Sequence, residues 1–235
     1  MYALIDGDIL TYRIGFSCNE DDQETAEITL DGFLEDLLEN IGAEDYELFL
    51  TGQNNFRKDY ATTAPYKGNR KGERPVHYDA LRDHMVEAWD ALIVEGEEAD
   101  DAIAYTFEAL KKTDKDPVIV SIDKDFDQLS GKHYNPVKHY LYNVSEQDAL
   151  LNFYMQFLVG DRIDNIIGVR GIGQVKARKL LEGKTEEEMY AICVEKLGSK
   201  ERAIENGILL NLRRYKGQIW SPPDEANEEK RTEGV

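Results

Sequence analysis

Three short apolar runs in this sequence each lead directly into carboxylates. Tyr2 to Ile5 ends at Asp6, Ala91 to Val94 is followed by Glu98, Asp100 and Asp101, and Pro117 to Ile122 ends at Asp123 with Asp125 two residues on. Runs of that length read as buried strands. Tyr46 to Thr51 reads as another. Between them Ile28 to Ile41 places Leu30, Phe33, Leu34, Leu37, Leu38 and Ile41 on one helical stripe. Tyr78 to Trp89 and Glu98 to Leu110 also suit helices. Strands alternating with helices predict an α/β fold with a mostly parallel sheet whose faces are covered.

In an open parallel sheet the ligand site lies beyond the carboxyl ends of the strands, so three strand ends would deliver six carboxylates to one edge. Glu98, Asp100 and Asp101 open a helix, where the dipole favours negative charge. Asp123 and Asp125, two apart in extended chain, would point the same way. Close like charges in a partly dry site repel by roughly several kcal/mol. A cation must offset this, and hard oxygen donors select magnesium or manganese. Each piece alone has an ordinary explanation: Asp6 or Asp8 as a turn residue, the acidic run at 98–101 as a helix cap, and the run at 123–127 as an exposed loop or calcium-binding turn. The last lacks the glycine and distal glutamate of an EF-hand loop. The joint arrangement points to metal chemistry.

Charge is unevenly spread. The net charge is −19, with no Lys or Arg from Glu20 to Glu47, and nucleic-acid binders usually show a positive footprint. Basic residues gather instead at 57–74 and 162–184. In the first stretch Arg57, Lys58, Lys67, Arg70, Lys71 and Arg74 interleave with Phe56, Tyr60 and Tyr66. Such residues suit phosphates and unpaired bases, or simply a mobile surface loop. In the second, Asp161 and Asp164 share one face of a helix or bend. Gly171 and Gly173 then permit a tight turn, and the helix after them offers free amides to a phosphate, with Lys176, Arg178 and Lys179 adding charge. This is the pattern of a helix–hairpin–helix DNA-binding element. Only Cys18 and Cys193 are present, so a disulfide framework is not expected. No apolar run nears the ~18 residues of a membrane span. Met1 to Asp6 lacks the marks of a signal peptide. A soluble, cytoplasmic protein without membrane partners is expected.

With these motifs in order, the sequence resembles the 5′-nuclease family of flap endonucleases and 5′–3′ exonucleases, especially its small bacteriophage members. The matching pieces are LIDGD, FRK with YKGNRK, EADDAIA, VSIDKDFDQL and GDRIDNIIGVRGIGQVKARKLL, from Leu4 to Leu181. The resemblance implies a PIN-like fold with a helix–three-turn–helix module. It divides the chain into a nuclease core at 1–144 with a basic arch-like loop at about 52–78 and a part at 145–220 with the helix–three-turn–helix and C-terminal helices; the composition from Ser221 onward reads as a disordered acidic tail at 221–235. The resemblance implies that Asp6, Glu98 and Asp100, with Asp101 beside them, serve a first metal, and that Asp123, Asp125, Asp161 and Asp164 serve a second. Lys67 and Arg70 would engage the scissile phosphate. Arg57, Lys58, Tyr66, Lys71, Gly171, Gly173, Lys176 and Arg178 would contact DNA, and the turn from Val169 to Gly173 matches one that in relatives also holds potassium.

One position departs from the pattern. Relatives usually carry Asp at the end of the second strand, where this chain reads Leu50-Thr51-Gly52-Gln53. The first site would be weaker, or completed by Asp8, water or Gln53. The arch segment is also short. The implied activity is two-metal hydrolysis of DNA or RNA–DNA phosphodiesters near a 5′ end, flap or nick, by a monomer in replication or repair, in the host cytoplasm if a phage encodes it. Two rivals remain: a DNA-structure-binding protein with little nuclease activity, and a PIN-type ribonuclease. The hairpin argues against the ribonuclease.

Overall fold

The computed structural model describes residues 1–70 and 72–223. Lys71 and residues 224–235 lie outside the described residues, and with them the DNA-contact expectation for Lys71 and most of the expected tail. Strand β1 (Tyr2–Asp6) is central because both its faces are apolar. Ala3 and Ile5 join one buried cluster, and Leu4 joins another on the opposite face, as the two-residue period of a strand requires. It pairs in parallel with β2 (Asp45–Thr51) and β4 (Pro117–Val120). Outward, β2 pairs with β3 (Leu92–Val94), β4 with β5 (Gly131–Asn135), and the antiparallel β6 (Tyr140–Val144) closes the edge. The order β3-β2-β1-β4-β5-β6 reverses between β1 and β4. That is where the carboxyl ends of a parallel sheet open a crevice.

Helices α1 (Gly7–Ser17), α2 (Gln23–Ile41) and α4 (Tyr78–Trp89) cover one face, and α5 (Ala99–Leu110) covers the other. The expected stripe on α2 buries Leu30, Leu34, Leu37 and Ile41, with Phe33 and Leu38 only partly covered. The helix starts five residues before its apolar pattern does, because Asp22 accepts from the Thr25 amide at 2.9 Å and caps it. Short α3 (Arg57–Tyr60) interrupts the basic stretch.

Residues beyond β6 form α6 (Glu146–Val159), the paired strands β7 (Gly160–Asp161) and β8 (Ile166–Ile167), then α7 (Gln174–Leu181), α8 (Glu186–Leu197) and α9 (Lys200–Leu210). They enclose their own aromatic cluster of Phe153, Tyr154, Phe157 and Trp220, which Tyr66 enters from the basic stretch. Among the described residues no helix is long and apolar enough to cross a membrane.

One local expectation is corrected. The run from Pro117 leaves the sheet at Val120, and Asp123 caps a 3-10 turn, Lys124–Gln128, accepting from the Asp125 amide at 2.9 Å. Asp123 and Asp125 are therefore not neighbours in extended chain.

Candidate active site

Asp6 stands where β1 gives way to α1 and is 4% exposed. Its two oxygens accept from the Ile9 amide at 3.3 Å and the Ser121 hydroxyl at 3.0 Å. Ser121, just past β4, is a positioning group that no sequence pattern marked. Burial, and then the Asp8 carboxylate, push Asp6 up from 3.8 to about 7. Burial together with Asp6 and Glu98 raises Asp100 well above the carboxylate range. Asp125 is pushed up to about 8 by burial and by Asp123, Asp161 and Asp164. Asp123, at the rim, is raised by lost hydration and by Asp164 and Asp161. The strand ends, the 3-10 turn and the β7–β8 hairpin thus deliver carboxylates that act on one another.

Glu98 is the exception. Burial would raise it, but Lys67 and Arg57 outweigh burial and hold it low. The Lys67 ammonium lies hard against Glu98 Oε1 and 3.6 Å from Asp164. Arg70 reaches Asp164 at 2.9 Å. The backbone fixes this placement. Lys67 sits at φ 55°, its amide bonded to the Asp164 carbonyl at 2.9 Å. Among the described residues no three acidic, histidine or cysteine side chains close around a point ready for an ion. The Lys67 ammonium sits between Glu98 and Asp164.

The missing strand-end carboxylate has a steric counterpart. A Cβ on Gly52 would lie 2.5 Å from Glu95 Oε1 and 2.8 Å from the Val94 carbonyl. Glu95 instead accepts from the Gln53 amide at 2.9 Å. Asp8 is held by Arg82 at 2.6 Å and by the Thr51 amide at 3.1 Å, while Arg82 also donates to the Thr51 carbonyl. This ring ties α1, β2 and α4 together beside Asp6.

Asp6, Asp100, Lys67 and Arg70 line a cavity of about 780 Å³ whose outer wall is aromatic and basic. Tyr12 and Phe16 are 40% and 49% exposed on α1, and Arg74 lies 4.4 Å over the Tyr78 ring. The i, i+4 spacing of Tyr12 and Phe16 on α1 is the sequence signal that could have marked this wall.

The Gly-Ile-Gly turn sits between α6 and α7. Ile172 is anchored in the aromatic cluster and Gly171 takes φ 80°. Gly173 precedes α7 with no side-chain cap, so the first amides of that helix are open. Lys176 and Arg178 are exposed there, as is Lys58 on α3. A cleft of about 370 Å³ lined by Lys124, Gln156, Gln174 and Arg178 joins the hairpin to the 3-10 turn that carries Asp125.

A family model described as the 5′-3′ exonuclease, N-terminal resolvase-like domain, matches residues 1–154. The chain belongs to this 5′–3′ exonuclease family. The family model covers the strand ends at Asp6, Glu98 and Asp123 but stops short of Asp161, Asp164 and the hairpin. A DNA polymerase I of Caldicellulosiruptor bescii is 29% identical over 213 residues, covering 80% of this chain and 25% of that protein. A flap endonuclease Xni of Shewanella baltica is 30% identical over 151 residues, 58% of each protein. The chain thus spans about a quarter and somewhat over half of these relatives. The bacteriophage T5 protein co-crystallised with metal ions shares the fold, with a TM-score of 0.70 at 19% identity over 90% of this chain and 89% of that one. A T5 flap endonuclease complex with DNA and metal ions gives 0.67 at 20% identity.

Three site expectations drawn from the family pattern are corrected by burial. Arg57 is 1% exposed, so it is not a DNA-contacting side chain. It grips Asp101 with two hydrogen bonds, 2.5 and 2.8 Å, and donates to the Leu209 and Asn211 carbonyls, locking α3 to α5 and α9. Asp101, 0% exposed, spends its oxygens on Arg57 and on the amides of Glu98 and Arg213, leaving none for a metal. Tyr66 is 6% exposed; its hydroxyl lies 2.9 Å from Glu98 and 2.7 Å from Asp164. It braces two carboxylates and presents no face to a base.

Proposed function

We propose that this chain is a structure-specific 5′-nuclease, a 5′–3′ exonuclease or flap endonuclease, which hydrolyses phosphodiesters of DNA or RNA–DNA with two bound magnesium ions, manganese serving in their place. One observation carries the reading. Carboxylates from separate stretches of chain crowd at the sheet's switch point, where burial first and then one another's charge raise their pKa, beside two cationic side chains. Their donors are all hard oxygens, and their excess negative charge suits hard divalent ions. Asp6, Glu98 and Asp100 would hold one ion; Asp123, Asp125, Asp161 and Asp164 would hold the other. Bound divalent ions supply Lewis acidity and charge stabilisation for in-line hydrolysis.

The chain's own groups do the rest. Ser121 orients Asp6, and the Asp8–Arg82 ring fixes the end of β2 where the usual carboxylate is absent. Lys67 exchanges Glu98 for the phosphate and, with Arg70, stabilises the negative charge that develops on it. Tyr12 and Phe16 offer faces to unpaired bases next to the cut. The α7 amides with Lys176 and Arg178 take the duplex backbone, and the carbonyls of the turn at 169–173 suit potassium. The protein acts as a monomer on 5′ ends, flaps or nicks during replication or repair, in the cytoplasm.

The test is a cleavage map on end-labelled duplex, nicked, flap and RNA–DNA substrates. Wild type should cut with magnesium and stop in chelator. A double variant, Asp123→Asn with Asp125→Asn, should not cut. Cleavage by that variant at the wild-type rate would reject the assignment.

A further inference from the structure

Helix α6 meets the 3-10 turn through two amide side chains one helical turn apart. Asn152 donates to the backbone carbonyl of Asp127 at 3.1 Å, holding the turn itself. Gln156 does something different. Its Nε2 donates to Asp125 Oδ1 at 2.6 Å, reaching past the backbone to the carboxylate. Asp125 Oδ2 takes no hydrogen bond among the described residues. The other end of the same amide, Gln156 Oε1, is buried without a hydrogen-bond partner among the described residues. Buried acceptors are nearly always satisfied, and leaving one unmet costs stability. The donor end of this amide is spent on the carboxylate alone. Groups that hydrogen-bond a metal ligand from outside fix its orientation and tune the ion it holds.

We propose that Gln156 is a positioning residue for the second metal site. It fixes one oxygen of Asp125 so that the other is left for an ion. The inference rests on the nuclease reading for the existence of the site, but it concerns Gln156 alone. Nothing in the strand or helix patterns singled this residue out. Only the packing of α6 on the turn places it.

The experiment uses manganese as the probe, in full-length protein. Manganese binding is followed by calorimetry, and cleavage of an end-labelled flap is followed against manganese concentration. Gln156→Met keeps length and volume while removing both polar ends. Gln156→Leu is the second variant should the first fold poorly, and Asn152→Leu reports what loss of turn bracing alone does. Gln156→Met is expected to weaken manganese binding about tenfold to a hundredfold. It should raise the manganese concentration for half-maximal cleavage by the same factor and leave the KM for DNA at saturating manganese unchanged. Asn152→Leu should stay within twofold of wild type. Unchanged manganese affinity in both Gln156 variants would overturn the proposal, as would an equal loss in Asn152→Leu, which would reduce Gln156 to a brace. Wild-type protein that binds manganese without cutting DNA would sink the nuclease reading, and Gln156 would still be judged by calorimetry. Wild type that cuts while Gln156→Met binds as tightly would sink only the inference.

Discussion

Without divalent ions, raising the pH should destabilise this protein, and Asp6 sets the scale. Its carboxyl titrates near 7 in the fold against 3.8 for a free side chain. A group whose pKa is raised on folding favours the folded state fully below its unfolded value, and that contribution fades as pH climbs to the folded value. The window therefore runs from about 4 to about 7, and Asp125 extends it to about 8. At 1.36 kcal/mol per pKa unit, ionising Asp6 costs the fold on the order of 4 kcal/mol. The carboxylates interact, so they should appear as one broad transition. The assay is urea unfolding in chelator across pH 5 to 8.5, for wild type and Asp6→Asn. Wild type should lose stability relative to the variant as pH rises, by roughly 3 kcal/mol between pH 5 and about 7, at 1.36 kcal/mol per pKa unit. The difference matters because His133, whose pKa burial lowers, loses stability in the opposite direction, as pH falls. Millimolar magnesium should abolish the wild-type slope, since an ion that binds only the folded state offsets the repulsion. A flat difference between the two proteins in chelator would refute the reasoning that the carboxylates burden one another.

Other outcomes follow from the same geometry. Asp101→Ala strands a buried guanidinium and should cost about 3–5 kcal/mol in urea unfolding; a loss under 1 kcal/mol would contradict the locking role given to the Arg57 pair. Lys67→Ala should lower kcat by roughly 10²–10³-fold if it stabilises developing charge, read in single-turnover cleavage; a change in KM alone would make Lys67 a binding group. Lys176→Ala with Arg178→Ala should weaken duplex binding and reduce the salt slope by about 2 if each contacts one phosphate. A slope unchanged in fluorescence titrations from 50 to 200 mM salt would remove the hairpin from the interface.

Much of the architecture was legible in the chain itself. Apolar runs of strand length and a helical stripe at 30–41 impose a layered α/β fold, since such segments must bury their faces. Parallel strands then send Asp6, Glu98 and Asp100 to one edge whatever the details. Packing decided which polar residues face the site, because neither burial nor direction is encoded in residue type. Arg57, Tyr66 and Asp101 carry groups suited to phosphates, bases and metals, yet α9 and the aromatic cluster enclose them and turn them into struts. Ser121, Arg82 and Gln156 look ordinary in one dimension, and each becomes a holder of a carboxylate only when distant segments meet. A local signal reports what a side chain is able to do. What it touches depends on long-range contacts, and those exist only after the chain has closed on itself.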